Sequence, residues 1–396
     1  MSRILSIAAL LVLLAGIVFA SYLGVAEAEF RRGTPESVAH AVEMRPDNAR
    51  YVLFRALQLD YEGQDAQPLL ERAAALNPSS SAPRIRLGLM AELRHDPVTA
   101  EHWLLSAARV DRQYEPSWTL ANFYFRQQRA DDFWTWIRRA LEVSYGDRTR
   151  AFELCWNMMS NSTEILDRAI PEDPMVATAY LAYLLNRHRD LSETGAIEEA
   201  ALRLGPLAAT VEPGTAYAAC DFLIERGRVE SARKLWGALG NGSSNGITKP
   251  NFREMSKFAQ GHGFDWRLEG GEGVIHVPLD GRGHRVTLTG KQPENTGLLR
   301  QAVVLEQGKR YTLRWKARTT GLTKPSGLNW NAGNASEAVE PSNDWSAGSL
   351  TFTAGATLVP MVLTYRRPQG VPRAEGSVDV TELSLTLADA ATSSAK

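Results

Sequence analysis

Two short segments in the C-terminal third of the sequence place an aromatic ring beside amide or carboxylate groups. They are Asn329-Trp330-Asn331 and Asn343-Asp344-Trp345, and turn-forming Gly, Pro and Ser residues flank both. An indole can stack on the apolar face of a sugar ring while amides and carboxylates bond its hydroxyl groups. This chemistry makes Asn329, Trp330, Asn331, Asp344 and Trp345 candidates for glycan binding, with the two rings partly exposed.

The same residues also fit a structural role. Trp330 would then begin a strand and pack inward, and Trp345 would cover the edge of a sheet. We assign Trp266 and Trp315 to the core. Exposure of the rings distinguishes the two interpretations, because a sugar platform must face solvent.

No pattern typical of an enzyme accompanies these segments. The sequence contains no metalloprotease helix motif, phosphate loop, nucleophile elbow or dinucleotide fingerprint. His262 and His284 are isolated in Gly-rich stretches, and the two cysteines, Cys155 and Cys220, allow neither a disulfide framework nor a Cys-based zinc site. Both cysteines fit small buried positions. We therefore expect a non-catalytic protein without metal or cofactor; the less favoured alternative, a glycosidase, would need two facing carboxylates.

The charge balance argues against nucleic acid as a partner. The 396 residues include 44 Lys and Arg against 45 Asp and Glu, a formal net charge of −1. A dedicated nucleic-acid-binding protein normally has a strong basic bias.

The N-terminus predicts a membrane segment. The uncharged stretch from Ile4 to Ala26 can cross a hydrocarbon core of about 30 Å at about 1.5 Å per residue. We favour a retained single-pass anchor within residues 1–28. The alternative is a signal sequence cleaved after the small-x-small motif Ala26-Glu27-Ala28, which would release a secreted protein. In both cases we expect the bulk of the chain outside the cytoplasm, which is the periplasm if the cell is Gram-negative.

Small residues recur through residues 34–240, where apolar spacing has the helical period. One series, with an interval of about 33 residues, is Ala41, Ala74, Ala107 and Ala140; a second is Ala56, Gly88 and Ala121. Small side chains at fixed positions allow two helices to cross closely. The pattern predicts stacked helical hairpins that share a continuous core.

This region resembles the tetratricopeptide repeat family. The most complete copy runs from Ala82 to Arg112, with Leu87-Gly88 in its first helix and Ala100 and Ala107 in its second. The resemblance implies an α-solenoid that binds a protein partner on a concave surface and carries no catalytic residues.

An aromatic and basic cluster in this region has two interpretations. Phe133, Trp134 and Trp136 are either an exposed stripe that binds a partner or, as we favour, packing between repeats. Arg138 and Arg139 either form a solvated face or line the superhelical groove.

A change of period marks a second domain. Residues 240–246 are rich in Gly, Asn and Ser, so we predict a linker over 241–249. Beyond it apolar and polar residues alternate, for example from Tyr311 to Arg318, as in strands with one buried face. The alternation predicts an antiparallel β-sandwich over residues 250–388, followed by a flexible tail at 389–396.

The sandwich resembles the jelly rolls of carbohydrate-binding modules. The resemblance covers Leu299 to Leu305, Gly308, Tyr311 to Arg318, the opening Gly263-Phe264-Asp265-Trp266 and the closing run from Val380 to Leu385. It implies the fold, and polysaccharide as a ligand to be considered.

Together these features predict a multidomain α-then-β chain, with a membrane helix, a tetratricopeptide-like solenoid and a jelly-roll sandwich. The expected function is a membrane-anchored extracytoplasmic scaffold that holds a protein partner on the solenoid and a second ligand on the sandwich. The arrangement resembles proteins of bacterial envelope polysaccharide assembly or export. The alternative is a glycan-binding receptor in which the solenoid is a spacer.

Overall fold

Capping side chains set where several helices begin. Thr34, Asn48 and Asp96 each accept a hydrogen bond from a backbone N–H group in the helical turn that follows. Such caps satisfy N–H groups that have no acceptor inside the helix. Local sequence therefore divides the N-terminal part of the chain into short helices.

The computed structural model describes residues 2–187, 194–250, 252, 261–279 and 283–388. Within this part of the chain, fourteen α-helices precede ten β-strands. This order confirms the predicted layout of helices followed by a β-sandwich. The predicted tail at 389–396 lies outside the described residues.

The chain divides into two compact units. The first comprises Met1–Ser160 with Glu164–Pro171, and the second comprises Asn161–Thr163 with Glu172–Lys396. The segment predicted as a linker, residues 241–249, thus lies inside the second unit.

The helices of the first unit form consecutive hairpins, in which α1 packs on α2, α3 on α4, α5 on α6 and α7 on α8. Their bounds are α1 Ser2–Arg32, α2 Pro35–Met44, α3 Ala49–Tyr61, α4 Gln67–Leu76, α5 Ala82–Leu93, α6 Pro97–Val110, α7 Tyr114–Arg126, α8 Ala130–Val143 and α9 Thr149–Met158. The next helix, α10 Ser162–Arg168, begins with residues of the second unit and ends with residues of the first.

Small residues lie where the helices cross, as the repeat pattern predicts. All the alanines of the two series are buried. A Cβ atom on Gly88 of α5 would lie 2.7 Å from the Leu104 side chain of α6 and 3.2 Å from the Ala100 carbonyl oxygen. The backbone of α5 therefore approaches α6 more closely than any side chain at position 88 would allow.

The long helix α1 belongs to the first hairpin as well as to the predicted membrane segment. Its C-terminal part packs on α2, where Ala26 is buried with Ala41 and Tyr51. The Phe30 ring stacks on Tyr51 with a centroid separation of 4.5 Å, and the Tyr22 hydroxyl donates to the Met44 carbonyl oxygen. The first hairpin thus includes residues that precede position 34.

The second unit contains four further helices and all ten strands. The helices are α11 Pro174–Arg187, α12 Thr194–Ala208, α13 Pro213–Glu225 and α14 Val229–Ala238. The strands are β1 Arg267–Leu268, β2 Val274–Pro278, β3 His284–Thr289, β4 Asn295–Val304, β5 Arg310–Thr320, β6 Leu328–Ala332, β7 Ala335–Ala338, β8 Ser346–Thr353, β9 Leu358–Arg366 and β10 Glu375–Leu387.

The strands form two five-stranded antiparallel sheets. Their orders are β1-β4-β9-β6-β7 and β2-β3-β10-β5-β8. In β5 the buried residues Leu313, Trp315 and Ala317 alternate with more exposed ones, which is the pattern of a strand with one face in a core. Trp266 and Trp315 lie in that core, as predicted.

One carboxylate joins α13 to the loop that opens the sandwich. Asp221 accepts hydrogen bonds of 2.6 Å from the Gly263 backbone N–H and from the Arg267 guanidinium. Gly263 has φ +56°, and a Cβ atom there would lie 2.5 Å from the Trp236 ring, so only glycine fits. The last hairpin and the sandwich therefore share a packed, hydrogen-bonded boundary within the second unit.

The segment 241–249 is also hydrogen-bonded to the sandwich. The Val304 N–H donates to the Ser244 carbonyl oxygen at 2.9 Å, and the Trp266 indole N–H donates to the Thr248 carbonyl oxygen at 2.9 Å. The Gly, Asn and Ser residues of this segment indicated the end of the helical period. Hydrogen bonds to the sandwich nevertheless hold the segment against the strands.

We predict that Gly88→Leu destabilises the first unit of the full-length protein by about 1–3 kcal/mol, because the new side chain overlaps Leu104. Hydrogen exchange of the α5 and α6 amides in detergent measures the effect. Gly237→Leu is the matched control, since nothing lies within 4 Å of its Cβ position. Equal protection of α5 in parent and Gly88→Leu would show that the crossing is misassigned.

Candidate functional site

The structure divides the first predicted glycan segment between the two faces of one strand. Asn329, Trp330 and Asn331 lie in β6, where successive side chains point to opposite sides of the sheet. Trp330 is 0% exposed and lies between Trp266 and Trp315, with ring centroids 6.2 and 6.0 Å away. The expected partial exposure of Trp330 is therefore wrong, because strand alternation directs its indole into the core.

The two amides of β6 lie on the outer face of the first sheet. Asn331 donates to the Thr364 hydroxyl at 2.8 Å, and Asn329 donates to the Gly327 carbonyl oxygen at 3.2 Å. The neighbours of Asn329 across the sheet are Thr364 and Ala338. These amides can bond hydroxyl groups, but their cross-strand neighbours provide no aromatic ring for stacking.

A cavity of about 660 Å³, lined by both polar and apolar residues, opens beside Asn329 at the start of β6. Lys324, Glu340, Arg366 and Gln369 contribute to its walls, and Lys324 forms an ion pair with Glu340. A cavity with amide, cationic and anionic groups can bind a polar ligand through hydrogen bonds.

The second predicted segment lies against the other sheet. Trp345 directly precedes β8 and is 40% exposed, and the Arg318 guanidinium lies 4.9 Å above its ring. The Asp344 backbone forms a turn with Ser342, whose hydroxyl donates to the Asp344 carbonyl oxygen at 2.8 Å. Trp345 is thus a surface aromatic with a cation stacked on it.

A buried carboxylate fixes the arginine beside Trp345. Asp379 of β10 lies opposite Arg285 of β3 and Arg318 of β5, and both arginines hydrogen-bond its side chain. Burial alone would raise the pKa of Asp379, but the bonds from Arg285 and Arg318 outweigh it and hold the pKa below the ordinary value. Asp379 therefore stays ionised and positions Arg318 for its contact with Trp345.

The five predicted residues consequently do not form one site. The amides face outward from the sheet of β6, Trp330 lies in the core, and Trp345 contacts the sheet of β5. Sequence reasoning missed Arg318 and Asp379. A usable signal was the acidic Asp379 between Val378 and Val380 in a strand, since a carboxylate there needs cationic partners.

The three aromatic residues of α8 also differ in burial. Phe133 and Trp134 are buried, which confirms the packing interpretation for these two rings. Trp136 is only partly buried and lines a surface groove between α6 and α8.

Comparison with solved structures finds likenesses that each cover a fraction of the chain. A CBM4 structure is 13% identical over 36% of this chain and 99% of its own, with a TM-score of 0.29. TmCBM61 in complex with beta-1,4-galactotriose is 15% identical over 36% of this chain and 99% of its own, with a TM-score of 0.25. Yeast Tom70 is 15% identical over 52% of this chain and 45% of its own, with a TM-score of 0.29.

No protein-family model and no curated protein matches this sequence. The assignment of helices followed by an antiparallel sandwich rests on the secondary structure and strand pairing of this chain itself.

The burial of the two indoles predicts opposite results for their truncation. Trp330→Ala should destabilise the sandwich by about 3–5 kcal/mol, because it leaves a large cavity among Trp266 and Trp315. Trp345→Ala is the matched substitution at the surface and should change stability by less than about 1 kcal/mol. Hydrogen exchange of the β5 and β9 amides in the full-length protein measures both. Equal costs for the two variants would contradict the core assignment of Trp330.

Proposed function

We propose that the protein is a non-catalytic, membrane-anchored extracytoplasmic scaffold. In this proposal the helical hairpins bind a protein partner and the sandwich binds a second ligand. One observation carries the proposal: a single helix, α1, is both the apolar segment and part of the first hairpin. The proposed membrane anchor and the repeat fold therefore share one helix.

The two parts of α1 have different surroundings. The helix is long and apolar enough to cross a membrane, and residues such as Leu11, Leu14 and Phe19 are exposed. Such a surface is unfavourable in water and suits a hydrocarbon environment. Further along the same helix, Ala26 is buried against α2 and α3.

These contacts support the retained anchor over the cleaved signal sequence. The motif Ala26-Glu27-Ala28 lies inside α1. Glu27 accepts a hydrogen bond from the Tyr51 hydroxyl at 2.7 Å and from Arg31 at 2.9 Å. Cleavage after Ala28 would remove Tyr22, Ala26 and Glu27 from the first hairpin and expose the surfaces that they cover.

The proposed setting is envelope polysaccharide assembly or export in a bacterium. It follows from the sequence resemblance that joins repeats and a carbohydrate-binding-like sandwich behind a membrane segment. Binding without catalysis belongs to the same proposal and is supported by the lack of a catalytic motif in the sequence.

The anchor is tested with full-length protein carrying a C-terminal tag in a Gram-negative host. We expect the parent to remain in carbonate-washed membranes and to keep its original N-terminus. Leu11→Arg with Leu14→Arg should release the chain, because each charge costs about 2.5–3.5 kcal/mol at the centre of a membrane helix. Leu11→Ile with Leu14→Ile is the control and should stay in the membrane. Soluble protein beginning at Glu29 would refute the anchor.

A glycan-binding receptor is the second candidate. The observation that favours it is the exposed Trp345 beside Arg318, which offers a stacking surface and a cation for an acidic sugar. The cavity at Asn329, whose walls include amide and charged groups, is a second place on the sandwich where hydroxyl groups could be bonded.

Affinity electrophoresis of the full-length protein on neutral and acidic polysaccharides tests the receptor. A receptor should lose retention with Trp345→Ala or Asn329→Ala, since each removes one of the proposed contacts. Tyr145→Ala is the control, because Tyr145 is an exposed aromatic of the helical part. If the parent is not retained on any polysaccharide, the receptor is excluded while the scaffold proposal stands.

A further inference from the structure

A groove of about 730 Å³ lies between α6 and α8, the second helices of two consecutive hairpins in the first unit. One wall contains Leu105, Ala108 and Arg109 of α6. The other contains Trp136 and Arg139 of α8. Two helices supply both apolar and cationic groups to the same concave surface.

The positive charges of this groove outnumber its negative charges. Arg109, Arg112 and Arg139 are exposed, and none has a carboxylate partner among the residues that the structure describes. The acidic residue of the groove, Glu142, already faces Arg138 at 3.5 Å. The groove therefore presents three arginines whose charge no neighbouring side chain neutralises.

Several other exposed arginines of the same unit are paired with carboxylates. Arg126 forms a bidentate pair with Glu92, with both bonds at 2.7 Å. Arg129 bonds Glu101 and Asp132 at 2.7 and 2.8 Å. Unlike Arg126 and Arg129, the three arginines of the groove have no carboxylate partner among the described residues.

The surroundings of the Trp136 ring favour a peptide ligand over a sugar. The Arg139 guanidinium lies 4.6 Å from the centroid of the Trp136 ring and covers one of its faces, and the ring is only partly exposed. Trp345 is 40% exposed, whereas Trp136 is more deeply buried and leaves less ring surface open for a sugar to stack on. A stacked guanidinium still has edge N–H groups to donate to a carboxylate. Leu105 and Val143 provide apolar contacts on the two walls.

We propose that this groove binds an acidic peptide segment of the protein partner, in which carboxylates alternate with apolar side chains. The carboxylates bond Arg109, Arg112 and Arg139, while the apolar side chains contact Leu105, Trp136 and Val143. This inference rests on the proposed scaffold function and specifies the class of partner.

The test measures fluorescence anisotropy of a labelled peptide that alternates Glu with Leu and Phe, using full-length protein in detergent. We expect binding that weakens with salt, as for exposed charge pairs. A matched peptide with Gln in place of Glu should bind much more weakly. Arg109→Gln with Arg112→Gln should weaken binding of the acidic peptide about tenfold, the loss of two charge-assisted contacts.

Two further variants separate charge from fold. Arg109→Lys with Arg112→Lys keeps the charge and should largely restore binding. Arg72→Gln with Arg94→Gln removes the same charge from exposed positions outside the groove and should bind like the parent.

Any of three results with the peptides would overturn the proposal, namely no binding of the acidic peptide, equal binding of the Gln peptide, or equal affinity for the groove and control variants. Polyuronate is the competing probe. If it displaces the peptide and itself loses affinity in Arg109→Gln with Arg112→Gln, the groove is a glycan site and the peptide assignment is wrong. Failure of any of these kinds leaves the membrane test unaffected, so the two proposals fail separately.

Discussion

The helical part of this protein depends on close approach between backbones, which small residues at the crossings permit. Gly88 leaves space for the Leu104 side chain, and a Cβ atom on Gly205 would lie 2.6 Å from Leu235. Ala26 and Ala41 have the same role where α1 meets α2. Because interiors are packed to near-crystalline density, a larger side chain at any of these positions must separate the helices.

The same close packing explains how α1 can be both a helix of the first hairpin and the proposed membrane span. Its first part has an apolar surface with no covering protein, whereas its C-terminal part meets α2 through small and aromatic residues. No flexible spacer separates the two parts, since the helix is continuous from Ser2 to Arg32. The first hairpin and the proposed membrane span therefore share one uninterrupted helix.

In the second unit, the close approach of Gly263 to Trp236 and the hydrogen bonds of one carboxylate together join the last hairpin to the sandwich. Gly263 contacts the Trp236 ring, and Asp221 accepts bonds from the backbone of Gly263 and from Arg267. Hydrogen bonds to an ionised acceptor are stronger than neutral ones. The last hairpin thereby packs against the sandwich, and both belong to one unit that contains helices and strands.

The sequence by itself determined the order of helices and strands, the crossing residues and the core positions of Trp266 and Trp315, because period and residue size are local properties. It also identified an N-terminal segment long and apolar enough to cross a membrane and the residue types suited to sugars. Only the tertiary structure decided that Trp330 is buried while Asn329 and Asn331 face outward, since the sheet fixes which face of β6 meets the core. It likewise placed Arg318 against Trp345 through Asp379 and left Arg109, Arg112 and Arg139 without acidic partners in the part of the chain that the structure describes. These contacts join residues far apart in the chain or on neighbouring helices, and neither composition nor spacing specifies which charges meet.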